Sequence, residues 1–164
     1  MSGSNNQAFN AIIPRDCGNT AWEYYDSNNS WLFDPGKAGD GSSGIYSAYT
    51  ISMPFAVSKV KISLISYPSY SSFGYLNRDD RRDFTQVESS KSYYSQGSTF
   101  DISVNSTVVL MEGTTIYMWS QYKYILKLFP GYLMFGFDIT RDTSSSSLAR
   151  FVLRDIDLNI IAYR

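Results

Sequence analysis

Apolar and polar residues alternate along most of this chain. In the segment 154–164, Ile156, Leu158, Ile160 and Ala162 share one parity, and Asp155, Asp157 and Asn159 the other. A period of two puts successive side chains on opposite faces of an extended backbone, so the segment predicts a strand with one buried face. Val60, Ile62 and Leu64 alternate in the same way with Lys61 and Ser63. Phe100, Ile102 and Val104 alternate with Asp101, Ser103 and Asn105. Leu133, Phe135, Phe137 and Ile139 alternate with Tyr132, Met134, Gly136 and Asp138. Ile45, Tyr49, Ile51 and Met53 form a further run that Pro54 ends. Residues 114–122 and 123–129 are rich in β-branched and aromatic types, which fit a pleated surface. Residues 20–25 and 30–33 read as short strands joined by a turn at 26–29.

Turn chemistry punctuates these runs. Residues 108–117 read as a hairpin that turns at Glu112 and Gly113, and Pro130 with Gly131 makes a second tight turn. A polar stretch at 141–147 precedes the last strand. Residues 148–153 are the best helical candidate, and a strand start explains them better. No apolar stripe recurs at the helical period, and no internal repeat is visible. About nine or ten strands, with turns roughly every ten residues, predict an all-β fold. The expected architecture is an antiparallel two-sheet β-sandwich, jelly-roll-like, with an open β-barrel as the alternative.

Two regions depart from this rhythm. Residues 1–19 read as an extended N-terminal arm with Ile12, Ile13 and Pro14 as its apolar anchor, leaving 20–164 as a single domain. The second region is a long Tyr/Ser-rich loop near 67–99. There Tyr67, Tyr70, Phe73 and Tyr75 supply flat rings, and Ser69, Ser71 and Ser72 supply adaptable hydrogen bonds. Evolved binding loops use this mixture. The same rings could instead fold under the loop and plug one end of a sandwich.

Composition narrows the chemistry. The chain has no histidine, against 14 Tyr, 10 Phe and 3 Trp. Without histidine there is no Ser-His-Asp triad, no Cys-His dyad and no His-ligated metal. The single cysteine, Cys17, cannot close an intrachain disulfide and reads as a small buried residue. A net charge of −1 gives no electrostatic capture of nucleic acid or of an anionic membrane. The first residues carry neither a basic nor an apolar signal segment, and no apolar run reaches the roughly 18 residues of a membrane span.

The remaining candidates are carboxylates, glycines and tryptophans. Arg78, Arg81 and Arg82 interleave with Asp79, Asp80 and Asp83, a salt-bridge network rather than a calcium loop. The glycine-rich stretch from Asp34 to Gly44 lacks the ending of a phosphate cradle and reads as a turn region; Asp34 and Asp40 as a calcium pair are the minor alternative. Asp155 and Asp157 project on one side of a strand. They could form a glycosidase pair, though alternating acids are more often the wet face of a strand. Trp22, Trp31 and Trp119 could stack on sugars or pack on a sheet face. No cofactor and no metal is expected.

The Tyr/Ser/Asn/Gly-rich composition, the absence of a disulfide or signal, and the closing strand over Ile156–Tyr163 resemble bacteriophage virion β-domains. The resemblance is compositional, spans the whole chain and carries no motif, so it transfers no functional residue. It implies a non-enzymatic structural or binding protein, such as a tail-associated receptor-binding domain, a fibre tip or a capsid or decoration protein. It further implies homo-oligomers, commonly trimers, with wet aromatic interfaces. The expected partners are copies of itself, other virion proteins and a host-surface glycan or protein, without nucleic acid or membrane insertion. The expected location is the virion, assembled in the host cytoplasm. The alternatives are a carbohydrate-binding module or lectin, and a carboxylate-only glycoside hydrolase.

Overall fold

The computed structural model describes residues 5–14, 22–25, 30–33, 44–67, 73–76, 84–86, 89–115, 120–140, 148–151 and 155–164. These residues form strands and connections, without a helix. In chain order the strands are β1 (Asn6–Ile13), β2 (Trp22–Tyr25), β3 (Ser30–Phe33), β4 (Gly44–Ser52) and β5 (Lys59–Ser66). Next come β6 (Phe73–Leu76), β7 (Phe84–Gln86), β8 (Ser89–Ser92), β9 (Thr99–Ser103) and β10 (Thr107–Thr115). The last four are β11 (Ser120–Leu128), β12 (Tyr132–Thr140), β13 (Leu148–Phe151) and β14 (Ile156–Tyr163).

Two antiparallel sheets build the sandwich. The first has the order β1-β14-β5-β9 and the second β4-β12-β11-β10-β8. Neither closes into a barrel. The short strands β2-β3-β13-β6-β7 pair into a third antiparallel sheet.

The sandwich forms because the alternating runs turn one parity inward. On β14 Ile156, Leu158, Ile160 and Ala162 are buried, while the residues between them are half-exposed. On β5 Val60, Ile62 and Leu64 are fully buried. From the second sheet Tyr124, Leu126, Leu128, Leu133, Phe135 and Phe137 meet them in one apolar cluster. Each such side chain contributes about 1.5–3 kcal/mol by leaving water. Tyr124 sits edge-on to Phe137 with ring centres 5.0 Å apart, and Phe135 and Phe137 are 5.5 Å apart, also edge-on. Edge-to-face contacts suit the ring quadrupoles. The central strands of the second sheet are covered on both faces, since Ile125 and Met134 are also buried but lie outside that cluster.

Three bulges adjust the registers. Leu110 is the extra residue on β10, so Leu110 and Met111, though adjacent, are both fully buried. Ala48 is the extra residue on β4 and Ile65 on β5. At the Pro130–Gly131 turn, Phe129 N–H donates to the Tyr132 carbonyl (2.9 Å), as the sequence predicts. Met53 and Val57 donate to the carbonyls of Gly131 and Pro130, which pins the β4–β5 connection to this turn.

The ladders keep step from sheet to sheet. Ile139 faces Gly44 in the second sheet and Ala149 faces Phe33 in the third, so ten residues on one side answer eleven on the other. Asp157 faces Ser66 in the first sheet and Phe151 faces Phe73 in the third, so six residues answer seven. The run β12, β13, β14 therefore supplies an interior strand to each of the three sheets in turn.

Several sequence expectations change. The predicted turn at Glu112 and Gly113 is instead the interior of β10, which continues to Thr115. A Glu-Gly pair looks like a hairpin turn locally, but here Gly113 is buried and pairs with Ser90 and Tyr122. The stretch 67–99 holds three short strands, β6, β7 and β8. β6 pairs with distant β13, β7 with β6 and β8 with β10, pairings that local composition does not reveal, and they raise the count beyond nine or ten. Residues 6–13 of the expected arm form β1, an edge strand of the first sheet, and Ile13 at its end is in the core at 1% exposure.

Candidate functional site

Registers bring charged side chains from four strands into one row on the outer face of the second sheet, which continues to a fifth strand. Lys91 on β8 faces Glu112 on β10, and Glu112 faces Lys123 on β11. Lys123 in turn faces Asp138 on β12, and Asp138 faces Ile45 on β4. Residues in register share a face, so the row alternates in sign before it ends on Ile45, an exposed isoleucine. The inner face holds the core, which leaves the other parity of each strand for this row.

Tyr93 stands over the β8 end of the row. Its hydroxyl donates to Glu112 Oε1 at 2.7 Å. Lys91 Nζ lies 4.5 Å from its ring centre, a cation–π distance. The hydrogen bond to Glu112 raises the Tyr93 phenol above its ordinary pKa, and desolvation and the Glu112 charge act in the same direction. Tyr93 is 44% exposed. An exposed aromatic ring is thus held in one orientation by a carboxylate at its tip and an ammonium on its face. Such preorganisation lowers the entropy cost of a contact. Behind it Tyr94 lies against Phe100, with ring centres 4.2 Å apart.

The sequence-predicted residues fall as follows. Tyr67 follows β5, is half-buried and packs against the core cluster. Burial pushes its phenol up to about 12, and the Ser92 hydroxyl pulls the other way. Ser92 Oγ, however, donates to the Tyr94 carbonyl at 2.6 Å, and the Tyr67 hydroxyl completes no hydrogen bond of its own. Phe73 and Tyr75 lie two apart on β6, in register with Phe151 and Ala149 of β13. Tyr70 lies outside the described residues. Cys17, Arg78 to Asp83, most of Asp34 to Gly44, and Trp119 also lie outside them. Trp22 and Trp31 lie on β2 and β3, where Trp22 faces Phe33 and Trp31 faces Tyr24.

Asp155 precedes β14 and Asp157 lies within it. Asp157 faces Ile12 on one side and Ser66 on the other, on the outer face of the first sheet. That face is lined by paired polar groups: Asn159 Nδ2 donates to Asn10 Oδ1 at 3.0 Å, and Ser63 and Thr99 share a 3.1 Å hydrogen bond. Among the described residues no group of three or more His, Cys, Asp or Glu side chains is placed to hold a metal ion. No helix among them is long and apolar enough to cross a membrane.

Lys91, Tyr93 and Glu112 were not legible as a group in the sequence. Lys91 and Tyr93 sit in a serine-rich stretch that resembles loop, and Glu112 sits in an apparent turn. The only local signal is the spacing of Lys91 and Tyr93, two apart. The chain matches no protein-family model, no curated protein and no solved structure.

Proposed function

We propose that this chain is a non-enzymatic structural and binding module of a bacteriophage particle, a tail-associated receptor-binding or capsid-surface protein that assembles with copies of itself. The observation that carries the reading is Tyr93, an exposed ring held by Glu112 and Lys91 at the β8 end of a row whose charges alternate. Charge-balanced surfaces with oriented aromatics suit contact between proteins, where tyrosine is enriched. The composition supports the same reading, because the chain lacks histidine and is rich in tyrosine. The test is immuno-electron microscopy of particles produced by the genome that encodes the chain. Label at a repeated position, on the tail tip or the capsid surface, is the expected result. Particles without label would overturn the reading.

The same tyrosine favours a carbohydrate-binding module as the second reading. A sugar face can stack on the exposed ring while Glu112 accepts from a hydroxyl. Glycan-array binding by an isolated monomer, lost in Tyr93→Ala, would establish it. Unchanged binding in that variant would remove it.

A further inference from the structure

Strand β1 ends the first sheet, and among the described residues one side of its backbone meets no other strand. Arg164 N–H donates to the Asn5 carbonyl at 2.9 Å, and Ser58 N–H donates to the Tyr163 carbonyl at 2.8 Å. The parity of Asn5 therefore faces β14, while Tyr163 faces β5. Backbone groups alternate in direction along a strand, and the β1–β14 register runs from Asn6–Tyr163 to Ile13–Ile156 without a bulge. The N–H and C=O groups of Ala8, Asn10 and Ile12 consequently point out of the sheet. All three residues are exposed, and no backbone hydrogen bond from the described residues reaches those groups.

Other edges carry the usual protections against pairing. β9 presents Asp101, β8 is four residues long with Lys91, and β4 is bulged at Ala48. β2 is four residues long with Glu23, and β7 has three residues. β1 is eight residues long, unbulged, uncharged and free of proline.

We propose that β1 is an interface with a second copy of this chain. The two β1 strands pair antiparallel about a two-fold axis at Asn10 and join the first sheets of both copies into one. A second copy fits because the edge is self-complementary, as a two-fold contact requires. In this register Asn10 faces the partner's Asn10, and Ala8 faces the partner's Ile12. Every outward group of Ala8, Asn10 and Ile12 then finds a mate. Pro14 has no N–H and ends the usable edge. Side chains agree with the register. The asparagine pair Asn159–Asn10 would continue as a row through the partner's Asn10. Ile12, 55% exposed, would be covered by the partner's Ala8. No like charges are brought together.

The proposal takes from the assembly reading only that copies of the chain meet, and it is tested on the isolated chain. Sedimentation equilibrium of the full chain should show a dimer. Asn10→Lys and Asn10→Asp each set like charges directly opposite one another and should each weaken the dimer roughly tenfold or more. Circular dichroism should show both variants folded, since the Asn10 side chain is exposed. Mixing the two variants in equal amounts should restore the dimer, because lysine then faces aspartate. A wild-type chain that stays monomeric at its solubility limit would overturn the proposal. So would an oligomer indifferent to either charge, or a mixture that fails to restore it. Particle labelling reads the assembly function separately, so either conclusion can fail without the other.

Discussion

Gly136 lies on β12 where Ala48 bulges out of the facing strand. The bulge brings the β4 backbone so close that a Cβ at this position would overlap the Tyr46 carbonyl oxygen, with its carbon 3.2 Å and Ser47 Cα 3.3 Å away. Those atoms are backbone and cannot swing aside. Gly136→Ala should therefore cost about 3 kcal/mol or more, read by chemical unfolding. Gly131→Ala is the control: no atom lies within 4 Å of its Cβ position, and the change should stay within about 0.5 kcal/mol. Tyr67 allows a different test. Its folded pKa of about 12 exceeds the ordinary 10, so the folded state holds the phenolic proton longer than the unfolded one. The contribution is complete below pH 10 and is lost as pH rises from 10 through about 12. Over that window wild-type stability should fall by up to about 2 kcal/mol. Tyr67→Phe should flatten this slope in alkaline denaturation curves.

Strands show where sequence alone suffices. β14 was legible because both its faces have fixed surroundings, and its burial alternates residue by residue. Ile160→Ala should cost about 2–5 kcal/mol and Ile161→Ala below about 1 kcal/mol, although the two residues are adjacent. Equal costs would contradict the register. The row Lys91, Glu112, Lys123, Asp138 shows where sequence runs out. Each residue is an ordinary polar position on its own strand, and only non-local pairing makes them neighbours. Glu112 was misread as a turn residue for the same reason, because its lysine partners lie on β8 and β11. Lys123→Glu would put three acids in line across β10, β11 and β12. It should destabilise the fold by about 1–2 kcal/mol, an effect that salt should reduce. The tyrosines of 67–75 were legible as unusual but not as a site. Composition does not reveal that Tyr67 turns toward the core or that Phe73 and Tyr75 enter a strand.

At the scale of the molecule, the fold class followed from period-two patterning, and the strand order did not. Strand order depends on which distant segments meet, and the step-matched ladders that link the three sheets are a relation between chain lengths, not residue types. Residues 132–163 supply an interior strand to every sheet, and they come after every strand they pair with. A chain growing on the ribosome can close the β10–β11 hairpin, but its three sheets stay divided until this segment emerges. Until then β1 and β4 have no partners, and apolar faces such as that of β5 remain uncovered. Folding should therefore be abrupt and slow once this segment has emerged, as long-range pairing dictates. A fragment cut off before Tyr132 should have no cooperative transition and should be cleared by proteases. Only chains translated through the last strand can then reach the folded form.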